Sequence, residues 1–400
     1  MSRFYSSSGV VGLAGRLPAV DHDPVRSSSL VLDGRPLTLA GHAHVYTCGI
    51  TPYGVTHLGH AATFVWADLV VTLCRAAGVE PVTCRNVTDV DDVLTAAASR
   101  AGSRYDELAV TQEFLFDRDM RALAVAAPTH SPRARSHIDD VVQLAAALLA
   151  TGHAYERDGH VFFRGEQVLR DSGLTEDEAT ALAREFGDQA ADDGREHRFD
   201  VPVWRPSPEE HPAWPSPWGW GRPGWHAECA AMAWATSGSS IDLLVGGADL
   251  TFPHHAYQTA MVEAATGVAP FARRLRHVGE VRHDGAKMAK STGNLVLVSD
   301  LLTRHRGAAI RLMLLNRPGG EAWEYDEDQL AAAGELLDRL YAAAATPSEA
   351  PAAGPGSDSG VLDALLDELD VPAAVGLALQ HGGAAAGALI HLLKLGEAGR

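Results

Sequence analysis

The segment from residue 43 to residue 92 constrains the fold most strongly, because two extended runs flank one helical pattern there. AHVYTCGI (43–50) is rich in residues that favour β-structure and predicts a strand. In residues 61–78 the apolar side chains recur at helical spacing, and the pattern stops at Gly78. EPVTCRNVTDVDD (80–92) predicts a second strand that leads into an acidic loop. Strand, helix and strand in this order favour an α/β fold with a doubly wound parallel sheet, which binds ligands beyond the carboxyl ends of its strands.

Further along the chain, the same kinds of pattern continue the sheet and interrupt it. Residues 239–249 and 273–281 predict two more strands of the sheet, and residues 155–165 predict a short strand pair. A DG turn between alternating segments predicts a hairpin within 29–41. Residues 201–223 contain so many proline and tryptophan residues that we expect no regular structure, only a loop that packs its rings over a site.

These elements give a division into four regions. The helical patterns cluster between the two halves of the sheet and again at the end of the chain, where a Pro/Gly/Ser/Ala linker lies at about 346–359. The predicted regions are an N-terminal leader at 1–40, an α/β catalytic core at 41–110 and 201–295, a mostly helical insertion at 111–200, and a C-terminal helical domain at 296–400.

Composition limits the functions that this chain can have. No uninterrupted apolar run could span a bilayer, and the N-terminus lacks the basic flank and apolar core of a secretory signal, so we expect a cytoplasmic protein. A formal net charge of −18 disfavours a surface that binds nucleic acid through its phosphates. Four cysteines are too few for a disulfide framework, which leaves packing, metal binding or catalysis as their uses.

Two short motifs supply groups that could bind phosphate. HLGH places His57 and His60 on one side of the first turn of the predicted helix, and helix N-termini attract anions. KMAKS (287–291) contributes Lys287 and Lys290, two of only three lysines in a chain that otherwise uses arginine. Alone, the first motif equally fits two helix-capping histidines and the second a solvated loop. Together, in this order and about 230 positions apart, they are a much more specific signal.

A third motif, GWHAECAAM (224–232), contains a cysteine whose role the motif alone does not decide. A free cysteine is more often a small buried apolar residue than a ligand, so Cys229 by itself favours packing. Cys74 and Cys84 fall within the predicted helix and strand, and we expect both in the core.

HLGH and KMAKS resemble the HIGH and KMSKS signatures of class I aminoacyl-tRNA synthetases, which activate an amino acid as its adenylate. The resemblance covers roughly residues 41–300 and narrows to the cysteinyl branch, and it implies a Rossmann-like catalytic core that uses ATP with Mg²⁺ as a substrate. The segments that carry it are YTCGITPYGVTHLGHA (46–61), RNVTDVDD (85–92), WPSPWGWGRPGWHAECAAM (214–232) and DLTFPHH (249–255).

The resemblance also implies roles for individual residues. Zinc would be held by Cys48, Cys229 and His254, a ligand set of thiolates and imidazole that leaves one position open for the thiol of the substrate. His57, His60, Lys287 and Lys290 would be catalytic. Contacts to cysteine or ATP are implied for Cys48, Gly49, Ile50, Thr51, Thr63, Asn86, Val87, Thr88, Trp225, Gly247, Ala248, Asp249 and Val281.

One departure from the cysteinyl synthetases redirects the functional prediction. Gln258 stands where they carry a glutamate that also binds zinc, and this pattern is similar to the mycothiol cysteine ligases, which join cysteine to the amine of glucosaminyl-inositol. CGITPY (48–53) and REFGD (184–188) point the same way. Only about a hundred residues follow KMAKS, too few for a helical bundle with an anticodon-binding module. We therefore predict a monomeric ligase that acts on a small amine, with tRNA an unlikely partner.

Other departures keep alternatives open. Gly54 replaces an acid that both families generally carry, Ala248 interrupts a glycine-rich run, and Ala289 replaces the central serine of KMSKS. The alternatives are a related ligase with another small amine, a cysteine–tRNA ligase, and a non-catalytic paralogue that senses cysteine or adenylate. Such a sensor need not keep both lysines of KMAKS, and this chain keeps them.

Overall fold

A computed structural model describes residues 29–186, 194–209, 211–288, 293–346 and 357–396. Its strands are β1 (Leu30–Leu32), β2 (Arg35–Leu37), β3 (His42–Ile50), β4 (Glu80–Val87), β5 (Ala154–Arg157), β6 (His160–Phe163), β7 (Val201–Pro206), β8 (Gly221–Pro223), β9 (Ile241–Gly247), β10 (Ala272–Val278), β11 (Val281–His283), β12 (Ala286–Lys287) and β13 (Trp323–Glu324).

The helices lie between and after these strands. They are α1 (Leu58–Ala76), α2 (Asp92–Ala101), α3 (Tyr105–Ala122), α4 (Ile138–Ala150), α5 (Glu166–Ser172), α6 (Glu176–Phe186), α7 (Trp225–Ser237), α8 (Ala256–Thr266), α9 (Val298–Leu302), α10 (Gly307–Leu315), α11 (Glu327–Ala345), α12 (Ser357–Leu366), α13 (Val371–His381) and α14 (Gly383–Leu392).

The central sheet consists of four parallel strands in the order β10-β9-β3-β4. Successive side chains of a strand point to opposite faces, so Val45 packs in one core cluster with α1, whereas Tyr46 packs in the other with α7 and α8. Leu243 and Leu244 of β9 alternate in the same way. Helices therefore cover both faces, which confirms the predicted α/β class with a doubly wound parallel sheet.

The strand–helix–strand unit at the start of this sheet follows the sequence pattern closely. β3 and β4 pair in parallel from His42 and Glu80 onwards, and α1 crosses between them. The helix ends at Ala76, and Gly78 follows with φ 78°, a left-handed conformation that glycine adopts without strain. The N-terminus of α1 thus lies near the carboxyl ends of the strands, where this class of sheet binds ligands.

A second sheet, antiparallel and in the order β5-β6-β7-β8, corrects one prediction. We expected no regular structure in residues 201–223, but β7 and β8 begin and end that segment and pair with each other. Proline is tolerated because Pro202 lies at a register shift between β6 and β7, Pro206 ends its strand, and β8 is an edge strand. The predicted strand pair at 155–165 is present as β5 and β6.

The C-terminal helices pack on the same face of the parallel sheet as α1. A single core cluster contains side chains of α1 together with those of α10, α11, α13 and α14. The predicted hairpin at 29–41 is present as β1 and β2, with Asp33 and Gly34 at the turn, while residues 1–28 of the predicted leader and most of the predicted linker lie outside the described residues. Among the described residues, no helix is both long and apolar enough to cross a membrane.

Candidate active site at the carboxyl edge of the parallel sheet

Three side chains that are distant in the sequence meet at one edge of the sheet. Cys48 is close to the carboxyl end of β3, Cys229 is in α7, and His254 is in the turn between β9 and α8. One ligand atom from each of the three lies within 4.8 Å of the others, and all three residues are buried. The structure thus brings together the three residues to which the resemblance assigns a metal.

Two aromatic side chains of the same region hold His254 in place. The Nδ1 atoms of His226 and His254 are 2.9 Å apart, and the Trp225 ring stacks on His254 with centroids 4.1 Å apart. Because one nitrogen of His254 is engaged by His226, only Nε2 remains available as a ligand atom. His226 carries no role in our sequence predictions, although it lies within the GWHAEC motif and could have been singled out there.

The ionisation of this cluster follows from its burial. Burial raises the pKa of the Cys229 thiol well above its usual value, and the neighbouring Cys48 raises it further. Burial also lowers the pKa of His254 well below its usual value, assisted by His226 and His255. The imidazole is therefore neutral, as a metal ligand must be, and a bound cation would favour the thiolate form of Cys229.

Two carboxamides lie against the two sulfurs. Asn86 of β4 donates from Nδ2 to Cys229 Sγ at 3.2 Å and accepts the Gly49 N–H at Oδ1 at 2.9 Å. Oε1 of Gln258, in α8, accepts from Cys48 Sγ at 3.3 Å. A Cβ atom at Gly49 would lie 1.7 Å from the Asn86 carbonyl oxygen, so only glycine permits this close approach of β3 to β4.

Glu228, which our sequence predictions passed over, is a buried carboxyl beside Cys229. Its side chain is 1% exposed, and its Oε2 has no hydrogen-bond partner within the part of the chain that the structure describes. Burial raises its pKa well above the usual value, and the charge of Asp91 adds to the shift. Its place within GWHAEC, directly before Cys229, could have indicated this residue in the sequence.

The HLGH motif occupies the first turn of α1. His57 is the N-cap residue, and its ring is 3.8 Å from that of His60 between centroids. The N–H of Leu58 donates to the carbonyl of Val296 at 2.8 Å, which ties this turn to the segment after KMAKS. The two imidazoles therefore stand together at the positive end of the helix dipole.

Only the first lysine of KMAKS falls within the described residues. Lys287, on β12, forms an ion pair with Asp249 at 2.9 Å. A Cβ atom at Gly247 would lie 2.4 Å from Asp249 Oδ1 and 3.7 Å from Thr63 Oγ1, so these three predicted ligand-binding residues are neighbours. Lys290 and Ala289 lie outside the described residues.

The remaining predicted residues fall on the surrounding elements. Oγ1 of Thr51 is 2.7 Å from Oγ1 of Thr88. The backbone N–H of Thr88 donates to the carbonyl of Ile50 at 3.0 Å. Ile50 pairs with Val87 across β3 and β4. Ala248 begins a short helical turn after β9, whereas Val281 is buried in the core and pairs β11 with β13.

The two remaining cysteines lie in the core, as predicted. Cys74 and Cys84 are each 2% exposed, and burial raises the pKa of both thiols to about 12. Neither belongs to the ligand cluster of the described residues.

Comparison with known proteins agrees with this architecture. The profile described as tRNA synthetases class I (C) catalytic domain matches residues 36–335. The chain is 40% identical over 347 residues to a cysteine–tRNA ligase of Acidiphilium cryptum, with 85% of this chain and 76% of the relative covered. It is 41% identical over 366 residues to the L-cysteine:1D-myo-inositol 2-amino-2-deoxy-alpha-D-glucopyranoside ligase of Rhodococcus jostii, with 87% of each covered.

Solved structures agree on the fold. The methionyl-tRNA synthetase of Mycobacterium tuberculosis in complex with methionyl-adenylate superposes with a TM-score of 0.62 at 18% identity, covering 89% of this chain and 82% of that one.

The parallel sheet, the histidines that begin α1 and these matches define a catalytic domain of the class I tRNA synthetase type. Within that class the chain belongs to the class I (C) family, whose members among its relatives are named either cysteine–tRNA ligase or L-cysteine:1D-myo-inositol 2-amino-2-deoxy-alpha-D-glucopyranoside ligase, the mycothiol cysteine ligase. The resemblance drawn from HLGH, KMAKS and GWHAEC is thereby confirmed.

Proposed function

We propose that this chain is an ATP-dependent ligase that activates L-cysteine as cysteinyl-adenylate and transfers it to a small amine, glucosaminyl-inositol. The observation that carries the proposal is the convergence of Cys48, Cys229 and His254 beside Trp225, at the edge where parallel sheets bind ligands. Relatives about 40% identical over most of the chain are named for this reaction.

The donor set supports zinc as the resident metal. Two thiols and an imidazole are ligands that zinc prefers, and these three residues would leave room for a further ligand from the substrate. When bound, zinc would act as a soft Lewis acid that takes the sulfur of the substrate and so favours cysteine over serine. The Nδ1–Nδ1 contact from His226 to His254 would then hold the ligand ring in orientation.

The residues of the chain position ATP around this pocket. We propose that His57 and His60, at the N-terminus of α1, contact the phosphates. Lys287 would neutralise charge on the leaving pyrophosphate, and its ion pair with Asp249 holds its side chain at the site beforehand. Lys290 is proposed for the same role from its place in KMAKS.

The reaction has two steps. In the first, a carboxylate oxygen of cysteine attacks the α-phosphorus of ATP in line, the bond to the bridging oxygen of the β-phosphate breaks, and pyrophosphate leaves. In the second, the amine nitrogen attacks the carbonyl carbon of the adenylate, the acyl–phosphate bond breaks to release AMP, and the nitrogen loses a proton. The protein contributes mainly by positioning the reactants.

The preference for a small amine over tRNA rests on charge. The net charge of −18 opposes the close approach of a polyanion. We propose that the enzyme acts as a monomer on small molecules.

The test is ATP consumption with cysteine plus glucosaminyl-inositol against cysteine plus cysteine-specific tRNA, with AMP and the mass of the product as readouts. We expect AMP and an amide product only with the amine; charged tRNA would instead identify a cysteine–tRNA ligase, and no reaction with either would refute ligation. Equal AMP formation with serine would refute selection of the thiol.

A matched pair of variants tests the metal assignment. Cys229→Ala should lose bound zinc and cysteine activation together, because it removes one of three ligands. Cys74→Ala removes an equally buried thiol from the core and should keep both. Retention of zinc and activity by Cys229→Ala would overturn the ligand set.

A further inference from the structure

The two sulfurs of the candidate metal site each have one side-chain carboxamide against them. Asn86 lies 3.2 Å from Cys229 Sγ through Nδ2, and Gln258 lies 3.3 Å from Cys48 Sγ through Oε1. Asn86 is 1% exposed and Gln258 is fully buried, so water does not compete for these contacts. The two amides come from different elements, β4 and α8, and each contacts the sulfur of one candidate ligand cysteine.

The orientation of the first amide is determined by the backbone. Oδ1 of Asn86 accepts the N–H of Gly49 at 2.9 Å, so Nδ2 is the atom that faces Cys229. An amide N–H directed at sulfur suits a thiolate, which only accepts hydrogen bonds. Asn86 is therefore already arranged for the metal-bound form of Cys229.

The second amide is arranged for the free thiol. Oε1 of Gln258 accepts from Cys48, while Nε2 is buried without a partner among the residues that the structure describes. A buried amide donor without an acceptor is costly. A half turn about the last side-chain bond exchanges the oxygen and the nitrogen, and Nε2 then finds an acceptor in Cys48 as soon as that sulfur is a metal-bound thiolate.

We propose that Asn86 and Gln258 each donate a carboxamide N–H to one metal-bound thiolate, and that Gln258 supports Cys48 in this way without occupying a coordination position. This inference rests on the proposed function, because the position left open is the one that the substrate sulfur takes.

The charge of the centre gives the reason for an amide at residue 258. Zinc with two thiolates and a neutral imidazole has no net charge, and the thiolate of the substrate adds one negative charge in a buried pocket. A carboxylate at the same position would add one negative charge to the buried centre before the substrate adds its own. Gln258 is thus a positioning residue that would add neither charge nor a ligand to the centre.

The experiment compares metal binding and the spectrum of the cobalt-substituted protein in four forms. Gln258→Met keeps the volume and removes the N–H, Gln258→Glu adds a carboxylate, and Gln112→Met removes a half-buried carboxamide from α3 as the control. Metal affinity is measured by competition with a chelator, and the thiolate-to-cobalt charge-transfer band is recorded with and without cysteine. A thermal melt of each form checks folding.

We expect Gln258→Met to bind metal about 10-fold more weakly and to shift the charge-transfer band, because Cys48 loses its hydrogen-bond donor. Gln258→Glu should bind metal roughly 10-fold more tightly, because its carboxylate can supply a fourth ligand. Gln112→Met should match the wild-type chain.

Two results would overturn the inference. One is a folded Gln258→Met with unchanged affinity and spectrum. The other, available even if that variant fails to fold, is a Gln258→Glu that binds metal no more tightly than the wild-type chain. Either leaves the proposed function standing if wild-type protein binds metal and responds to cysteine. A wild-type chain without metal would instead refute the proposed function.

Discussion

Replacement of Asp68 by asparagine tests how the helix that begins with HLGH is anchored. Asp68, in α1, accepts from Arg311 of α10 at 2.6 Å and from Lys394 near the C-terminus at 2.8 Å. The side chains of Asp68 and Arg311 are 2% and 0% exposed, and that of Lys394 is 14% exposed. This cluster connects α1 to the C-terminal helices through charge in the middle of an apolar core.

The expected cost follows from what the substitution leaves behind. Asparagine keeps the volume and still accepts the Ala126 N–H, which Asp68 accepts at 2.9 Å. Arg311, however, stays buried, and the partners that remain to it among the described residues are the carbonyls of Leu393 and Leu123, at 2.6 and 2.9 Å. An unpaired charge at a fully buried site costs about 3–5 kcal/mol of unfolding free energy.

The pH dependence has a definite sign. Burial raises the pKa of Asp68, but the charges of Arg311 and Lys394 and the hydrogen bonds from Ala126 and Lys394 together lower it by more, so its pKa in the folded protein is below its usual value. Its contribution to stability is therefore complete above the unfolded carboxyl pKa of about 4 and is lost as the pH falls through the folded pKa. Asp68→Asn should lose less stability than the wild-type chain over that acid range.

Urea unfolding followed by the fluorescence of the eight tryptophans measures the difference. Glu166→Gln is the control, because its ion pair with Arg170 at 2.6 Å is exposed and should contribute less than about 1 kcal/mol. The cost at Asp68 should also resist added salt, since buried pairs are poorly screened. A cost below about 1 kcal/mol, or one that salt abolishes, would refute the reasoning.

Two further substitutions probe the site itself. Gly49→Ala should destabilise the chain by about 3 kcal/mol or more in urea unfolding, since its Cβ would lie 1.7 Å from the Asn86 carbonyl oxygen. The control is Gly334→Ala in α11, where a Cβ has open space and should stabilise the chain by roughly 1 kcal/mol. A neutral result at Gly49 would contradict the close approach. Lys287→Met should lower kcat/KM for cysteine-dependent pyrophosphate exchange about 100-fold without changing bound zinc, and a loss below about threefold would exclude it from the chemistry.

Local pattern was sufficient wherever neighbouring residues alone decide the structure. The β-favouring residues of 43–50 and the helical spacing in 61–78 predicted β3 and α1, and Gly78 predicted where the helix stops. Local pattern failed in 201–223, because proline is excluded only from the regular hydrogen-bonded positions of a β-ladder. Whether Pro202 lies at a register shift depends on its partner strand β6, which is elsewhere in the chain.

The chemistry of the individual motifs was determined by the sequence. Two histidines at the start of a helical pattern, two lysines three positions apart and a cysteine close to a tryptophan can be identified without coordinates, and so can their resemblance to a known family. Which of four buried cysteines meet one another was decided only by the tertiary structure. Cys48 and Cys229 are 181 positions apart. The pairing of β3 with β9 brings Cys48 and His254 to one edge, and α7 packs against the same face of the sheet and adds Cys229. The same packing places a carboxamide against each sulfur, one from β4 and one from α8. These elements are far apart in the sequence, and such non-local contacts leave no periodic pattern in it.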